Sequence, residues 1–212
     1  MISITLLINV IILISHLSTI HTFVNKPNPL KPTNCVIKNV EYEDDFLYTC
    51  KQYPSYSNDH RRKVYTNPIS PKYMDSTLQT RWLFIPVTDD GTHSNDTYYI
   101  VNEQYKEFLC SAGDHLEITK RRRKVNTLSI NEIENEDECM WRLDESKTKI
   151  QNYIIWNVRY KEALYAASSL LMTMKSNRRN VFTWYKTPDS KQFNWVIFCF
   201  QRASHLLPFQ SE

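Results

Sequence analysis

Five consecutive basic residues, Lys120-Arg121-Arg122-Arg123-Lys124, are the densest charge in the chain. Such a run suits a proprotein-convertase cut, a sulfated-glycan patch or contact with nucleic-acid phosphates. Two of the five have another explanation, because Arg122-Arg123 recurs as Arg61-Arg62 and as Arg178-Arg179. Each arginine pair shares its repeat with a carboxylate, Glu107, Asp45 or Glu162. Guanidinium pairs with carboxylate in a two-pronged geometry, so a pairing present three times is expected to be a structural clasp. The basic residues outside the repeat are Lys120, Arg121 and Lys124, the candidate contacts for an anionic ligand.

Catalytic chemistry finds little support. His60, His93, His115 and His205 are scattered without metal-ligand spacing, and no metal or cofactor is expected. Gly-x-Ser-x-Gly, His-Glu-x-x-His and phosphate-cradling loops are all missing, and Gly91 and Gly113 are the only glycines. The acids of Glu132 to Glu138 are mixed with Asn and read as a solvated loop. No enzyme is expected. A ricin-type sugar site needs Gln-x-Trp, whereas this chain has Gln79-x-x-Trp82 and Gln192-x-x-Trp195, with Glu138 before Trp141. One extra residue turns the glutamine to the other face of a strand, which argues against that site.

These residues sit in a pattern present three times. Its first copy comprises Asn39, Tyr42, Asp45, Leu47, Arg61, Arg62, Val64, Thr66 and Trp82. The second has Asn102, Tyr105, Glu107, Leu109, Arg122, Arg123, Val125, Thr127 and Trp141, and the third Asn157, Tyr160, Glu162, Leu164, Arg178, Arg179, Val181, Thr183 and Trp195. Short runs rich in Val, Ile, Tyr, Phe and Trp between polar turns predict four strands per copy. They are Val36 to Asn39, Phe46 to Cys50, Lys63 to Thr66 and Arg81 to Val87; Tyr98 to Asn102, Phe108 to Ser111, Lys124 to Leu128 and Cys139 to Leu143; and Tyr153 to Asn157, Ala163 to Ala166, Asn180 to Trp184 and Asn194 to Phe200. Helix propensity competes over Arg159 to Lys175, but alignment of the copies places strands there.

Twelve antiparallel strands must hide their edges, and closing them into a barrel does so. The expected fold is an all-β β-trefoil: twelve strands in three pseudo-symmetric four-stranded repeats, with Trp82, Trp141 and Trp195 in one core layer. The repeats are expected at about 35–90, 97–146 and 151–201 within a domain of 35–203. Asn39, Asn102 and Asn157 are expected to form turns, because Asn tolerates left-handed backbone and caps turns with its side chain, with the three Tyr packed over them.

The strings Asn157-Val-Arg-Tyr-Lys-Glu-Ala-Leu164 and Arg178-Arg-Asn-Val181, with Trp195 beyond, resemble the C-terminal trefoil repeats of the silkworm 30 kDa lipoprotein (microvitellogenin-like) family and other secreted insect β-trefoil proteins. The resemblance covers about residues 36–200. It implies a secreted binding protein of haemolymph or saliva type and carries over no lipid site, and the family's N-terminal helical domain has no counterpart here.

Secretion is also expected from the N-terminus. Ile4 to Ile14 is almost wholly apolar, too short to span a bilayer but suited to a signal peptide over 1–22, followed by an extension over 23–34. Asn95-Asp-Thr97 is a glycosylation acceptor. In an oxidising compartment the five cysteines are expected to staple the fold. Cys35 precedes the first strand and Cys199 lies in the last, strands that must meet to close the barrel, and Cys110 and Cys139 flank one hairpin; these are the expected pairs. Cys50 is then left over, in a monomer or as the link of a covalent dimer. The segments Gln52 to His60, Pro68 to Leu78, Thr88 to Asp96 and Ser129 to Asp137 belong to one copy each, and 204–212 is a tail. A rigid scaffold with private loops suits a secreted, non-enzymatic protein binding an extracellular protein or glycan rather than nucleic acid. A trefoil protease inhibitor and a haemolymph storage protein are the alternatives.

Overall fold

The computed structural model describes residues 23–24, 27–28, 31–51, 61–68, 78–87, 96–117, 121–147, 151–171 and 178–200. The expected signal segment 1–22, Asn95, Lys120, His60, His93, His205, the tail and most of the first three private loops lie outside the described residues.

Among the described residues, thirteen strands form one antiparallel sheet. They are β1 Phe23–Val24, β2 Thr33–Asn39, β3 Asp45–Thr49, β4 Arg62–Pro68, β5 Arg81–Pro86, β6 Thr97–Asn102, β7 Phe108–Glu117, β8 Arg122–Leu128, β9 Met140–Glu145, β10 Asn152–Asn157, β11 Ala163–Leu171, β12 Arg178–Trp184 and β13 Asn194–Phe200. The twelve expected strands are β2 to β13, and β1 adds a short partner to β13 from within the expected extension. The contested passage after Arg159 holds strand β11. Its alternating side chains serve two apolar clusters, Leu164 and Ala166 in one and Ala163, Tyr165 and Ala167 in the other, an alternation that fits a strand.

Pairing closes the sheet on itself. β2, β5, β6, β9, β10 and β13 each pair with the next, and β13 returns to β2. The hairpins β3–β4, β7–β8 and β11–β12 form a second circuit, because β4, β8 and β12 pair with one another. Closure of this kind leaves few unpaired edges.

Trp82, Trp141 and Trp195 are fully buried in the main core cluster. Each indole N–H donates to the carbonyl of its own copy's leucine, Leu47 at 3.0 Å, Leu109 at 2.7 Å and Leu164 at 3.1 Å. Burying an aromatic of this size with its polar atom satisfied is worth on the order of 5 kcal/mol per ring. Cys35 bonds to Cys199 and Cys110 to Cys139, the two expected bridges, with Cys50 unpaired. The first strand begins earlier than its apolar run suggests, so Cys35 lies inside β2, directly opposite Cys199 of β13.

Candidate functional site

The arginine clasps differ from expectation in one respect: the partner is the next copy's carboxylate. Arg62 meets Glu107 at 2.9 Å, Arg123 meets Glu162 at 3.1 Å, and Arg179 meets Asp45 at 2.9 Å. Each carboxylate also accepts from a threonine of its own copy, Thr127 for Glu107, Thr183 for Glu162 and Thr66 for Asp45. The same guanidinium donates to a carbonyl, of Lys51, Gly113 or Ser168. It also covers a tyrosine ring, with Arg62 4.0 Å from the Tyr105 centroid, Arg123 3.9 Å from Tyr160 and Arg179 3.5 Å from Tyr42. The physical reason is the hairpin circuit, which lays the start of each second hairpin strand beside its neighbour. Burial holds Asp45 above the usual carboxylate range, while its bond from Thr66 and the charge of Arg179 pull the other way.

A second seam uses the remaining repeated polar side chains. Asn39 Nδ2 donates to the Gln192 carbonyl, Asn102 to Gln79 and Asn157 to Glu138. Their Oδ1 atoms accept backbone N–H groups of the turn that follows, from Glu41, from Gln104 and from Tyr160. These asparagines therefore cap turns with their side chains, as expected, and do not use left-handed backbone. In the second and third copies that conformation falls on Lys106 and Lys161, with φ of 57° and 52°. Gln79, Gln192 and Glu138, the residues weighed as sugar ligands, bond to the hydroxyls of Tyr105, Tyr42 and Tyr160. They are thus engaged inside the fold. Burial pushes the Tyr160 hydroxyl up from its ordinary pKa, and the Glu138 carboxylate beside it adds to the shift.

Among the described residues, Arg122 and Arg178, the first arginines of the second and third copies, make no carboxylate clasp; each lies on the neighbouring hairpin's outer face. Arg178 is 5.9 Å and 5.8 Å from the ring centroids of Tyr48 and Tyr65. Arg122 is 4.6 Å and 4.5 Å from those of Phe182 and Trp184. Cross-strand aromatic pairs build these faces, Tyr48 opposite Tyr65 and Tyr165 opposite Phe182.

In the middle copy the equivalent pair is Cys110 opposite Asn126. Cys110 is tied to Cys139, which draws the segment after Ser129 over the face, and Ile133 packs there with Cys110, Leu128 and Cys139. A cavity of about 190 Å³ remains, lined by Arg61, Asn126, Glu132, Glu134, Asn135 and Glu138, among others. Glu132 to Glu138 are expected as a solvated loop from the sequence, and Asn126 carries no expected role. The available signal was the middle residue of Val-x-Thr, which is Tyr65 and Phe182 in the outer copies and Asn126 between them.

The basic candidates occupy a different face. Arg121 and Lys124 are exposed. Arg121 lies 5.4 Å from the ring centroid of Tyr185, which is 53% exposed, and Lys186 lies 4.5 Å from that of Trp184. The pairing of β8 with β12 brings Arg122 opposite Trp184 and Lys124 opposite Phe182, so basic and aromatic side chains interleave.

No family model and no curated protein matches the chain, so the resemblance to the silkworm lipoprotein family has no support at that level. Solved structures match in fold. An SDF2-like protein from Arabidopsis thaliana aligns with a TM-score of 0.61 at 12% identity, over 82% of this chain and 94% of that one. A salivary protein from Culex quiquefasciatus of the cysteine- and tryptophan-rich family aligns at 0.55 and 15%, over 85% and 97%. The BEL β-trefoil aligns at 0.56 and 13%, over 84% and 100%. The chain is thus an all-β closed barrel similar in fold to β-trefoil proteins.

Proposed function

We propose that this chain is a secreted, non-enzymatic β-trefoil binding protein, its three repeats related by a pseudo-threefold axis and its non-repeated segments presented to an extracellular protein or glycan. The division of labour among polar side chains carries the reading. Asn, Tyr, the clasp acids and the second arginine of each copy satisfy one another inside the fold. What stands apart is private to one copy: the Ser129 to Asp137 loop with its cavity, and the basic patch of Arg121 and Lys124. A scaffold whose repeated polar groups are internally satisfied leaves its irregular segments for recognition. The two bridges suit an oxidising compartment.

The test is capture from the source organism's extracellular fluid on immobilised protein, together with chromatography on heparin. A protein or glycan should be retained specifically, and heparin retention should fall steeply with salt and weaken when Lys120, Arg121 and Lys124 are changed to Ala. Failure of both captures would overturn the reading.

A further inference from the structure

The seam between the second and third hairpins carries an inference beyond a general binding surface. Arg123 and Thr183 turn inward to the Glu162 clasp, and Val125 and Val181 to the core. Strand alternation therefore turns Arg122 and Lys124 of β8, and Phe182 and Trp184 of β12, to the outer face. Register sets Phe182 opposite Lys124 and Trp184 opposite Arg122. The string Trp184-Tyr185-Lys186 is matched by Asn67-Pro68-Ile69 and Leu128-Ser129-Ile130, so its aromatic and basic character belongs to the third copy alone.

Four cations gather here without the carboxylates that neutralise the second arginine of each copy. Among the described residues Arg121, Arg122, Lys124 and Lys186 make no ion pair. Three of them lie over rings instead: Arg122 over Phe182 and Trp184, Lys186 over Trp184, and Arg121 over Tyr185. Arg122 Nε is buried without an acceptor, so ring contact and not a carboxylate holds this guanidinium. Register sets one acid, Glu117 of β7, opposite Arg122, against the four cations. Like charges held this close repel one another, and an anion spanning them relieves the repulsion.

The rings specify more than a simple anion. Tyr185 is 53% exposed and stands among the cations, so an open aromatic face adjoins donors suited to anionic oxygens. A sugar ring carrying several sulfate esters meets both demands. We propose that this seam binds a sulfated oligosaccharide, with a sugar ring against Tyr185 and sulfate groups on Arg121, Arg122, Lys124 and Lys186. The proposal rests on the secreted-binding reading above and deepens it, naming the ligand class and adding Arg122, Tyr185 and Lys186 to the basic pair.

Calorimetric titration of the whole secreted chain tests it, using a sulfated heparin hexasaccharide, its desulfated counterpart, and a single-stranded oligothymidine of equal charge. Only the sulfated sugar is expected to bind. Tyr185→Ala should weaken that binding about tenfold and leave its salt dependence unchanged, since a ring and no charge is removed. Lys186→Ala should weaken it and flatten the salt dependence, since one ion contact is lost. Arg142→Ala, at an exposed arginine of β9 paired with Asp144, should bind as wild type. Urea midpoints of all three variants should match that of the wild type. Equal binding of the desulfated sugar or the oligothymidine overturns the proposal, as does a loss in Arg142→Ala equal to that in Lys186→Ala. Wild-type affinity in either Tyr185→Ala or Lys186→Ala also overturns it; heparin retention that still depends on Lys120, Arg121 and Lys124 would then leave the broader reading standing. So does failure to bind the hexasaccharide, and specific capture of an extracellular protein alongside that failure leaves loop-borne binding intact.

Discussion

Replacing Glu107 by Ala should destabilise the protein by about 3–5 kcal/mol, because it strands the guanidinium of Arg62 in a nearly buried site and removes the acceptor of Thr127. The side chains of Arg62 and Glu107 are only 12% and 6% exposed, so water cannot replace the lost partner. Asp45→Ala and Glu162→Ala should lose similar amounts, since each removes the same three-way contact of arginine, threonine and carboxylate. Urea unfolding midpoints measure all three. The double variant Arg62→Met, Glu107→Leu should recover most of the loss, because exchanging a buried ion pair for apolar side chains of similar volume is often close to neutral. Three unequal losses would mean that the hairpins are not held equivalently.

Opening the bridge between Cys35 and Cys199 should cost about 5 kcal/mol on the chain-entropy model, against about 3.5 kcal/mol for that between Cys110 and Cys139. The difference follows from sequence separation, 164 residues for the first bridge and 29 for the second. The longer loop is also the one that fastens the first long strand to the last. Cys35→Ala with Cys199→Ala should therefore lower the thermal midpoint more than Cys110→Ala with Cys139→Ala. Thiol titration of the denatured, unreduced protein should find one reactive group, Cys50, whose Sγ lies 3.8 Å from Arg178 Nη1 in the folded chain.

Strands and bridges were legible in the sequence because they depend on residue type and order. A Trp that closes each copy and a Val-x-Thr that begins each second hairpin strand keep their positions whatever the loops do, so the strands of all three copies can be aligned by eye. Which copy a side chain reaches was not legible. Arg62 is nearer in sequence to Asp45 than to Glu107, and only the pairing of β4, β8 and β12 shows that the clasp runs to the next hairpin. The turns were legible in part: the asparagine side chains cap them as expected, while the left-handed backbone falls on Lys106 and Lys161.

The candidate cavity was less legible still, since it arises where the pattern lapses. Cys110 stands in place of an aromatic and is accounted for in the sequence as half of a bridge. Asn126 lies between Val125 and Thr127, two residues of the pattern. A departure from repetition gains meaning only once the outer copies have shown what normally fills the place: Tyr48 with Tyr65 at 6.1 Å between centroids, and Tyr165 with Phe182 at 4.9 Å.

The central claim is that repeated side chains hold the barrel together while the exceptions serve recognition. Its most direct test compares urea midpoints and heparin retention for one repeated residue and for the exposed basic pair. Glu107→Ala should lower the midpoint, whereas Arg121→Ala with Lys124→Ala should leave the midpoint unchanged and weaken the retention. A midpoint lowered as far by the Arg121 and Lys124 changes as by Glu107→Ala, with retention unchanged, would contradict the account.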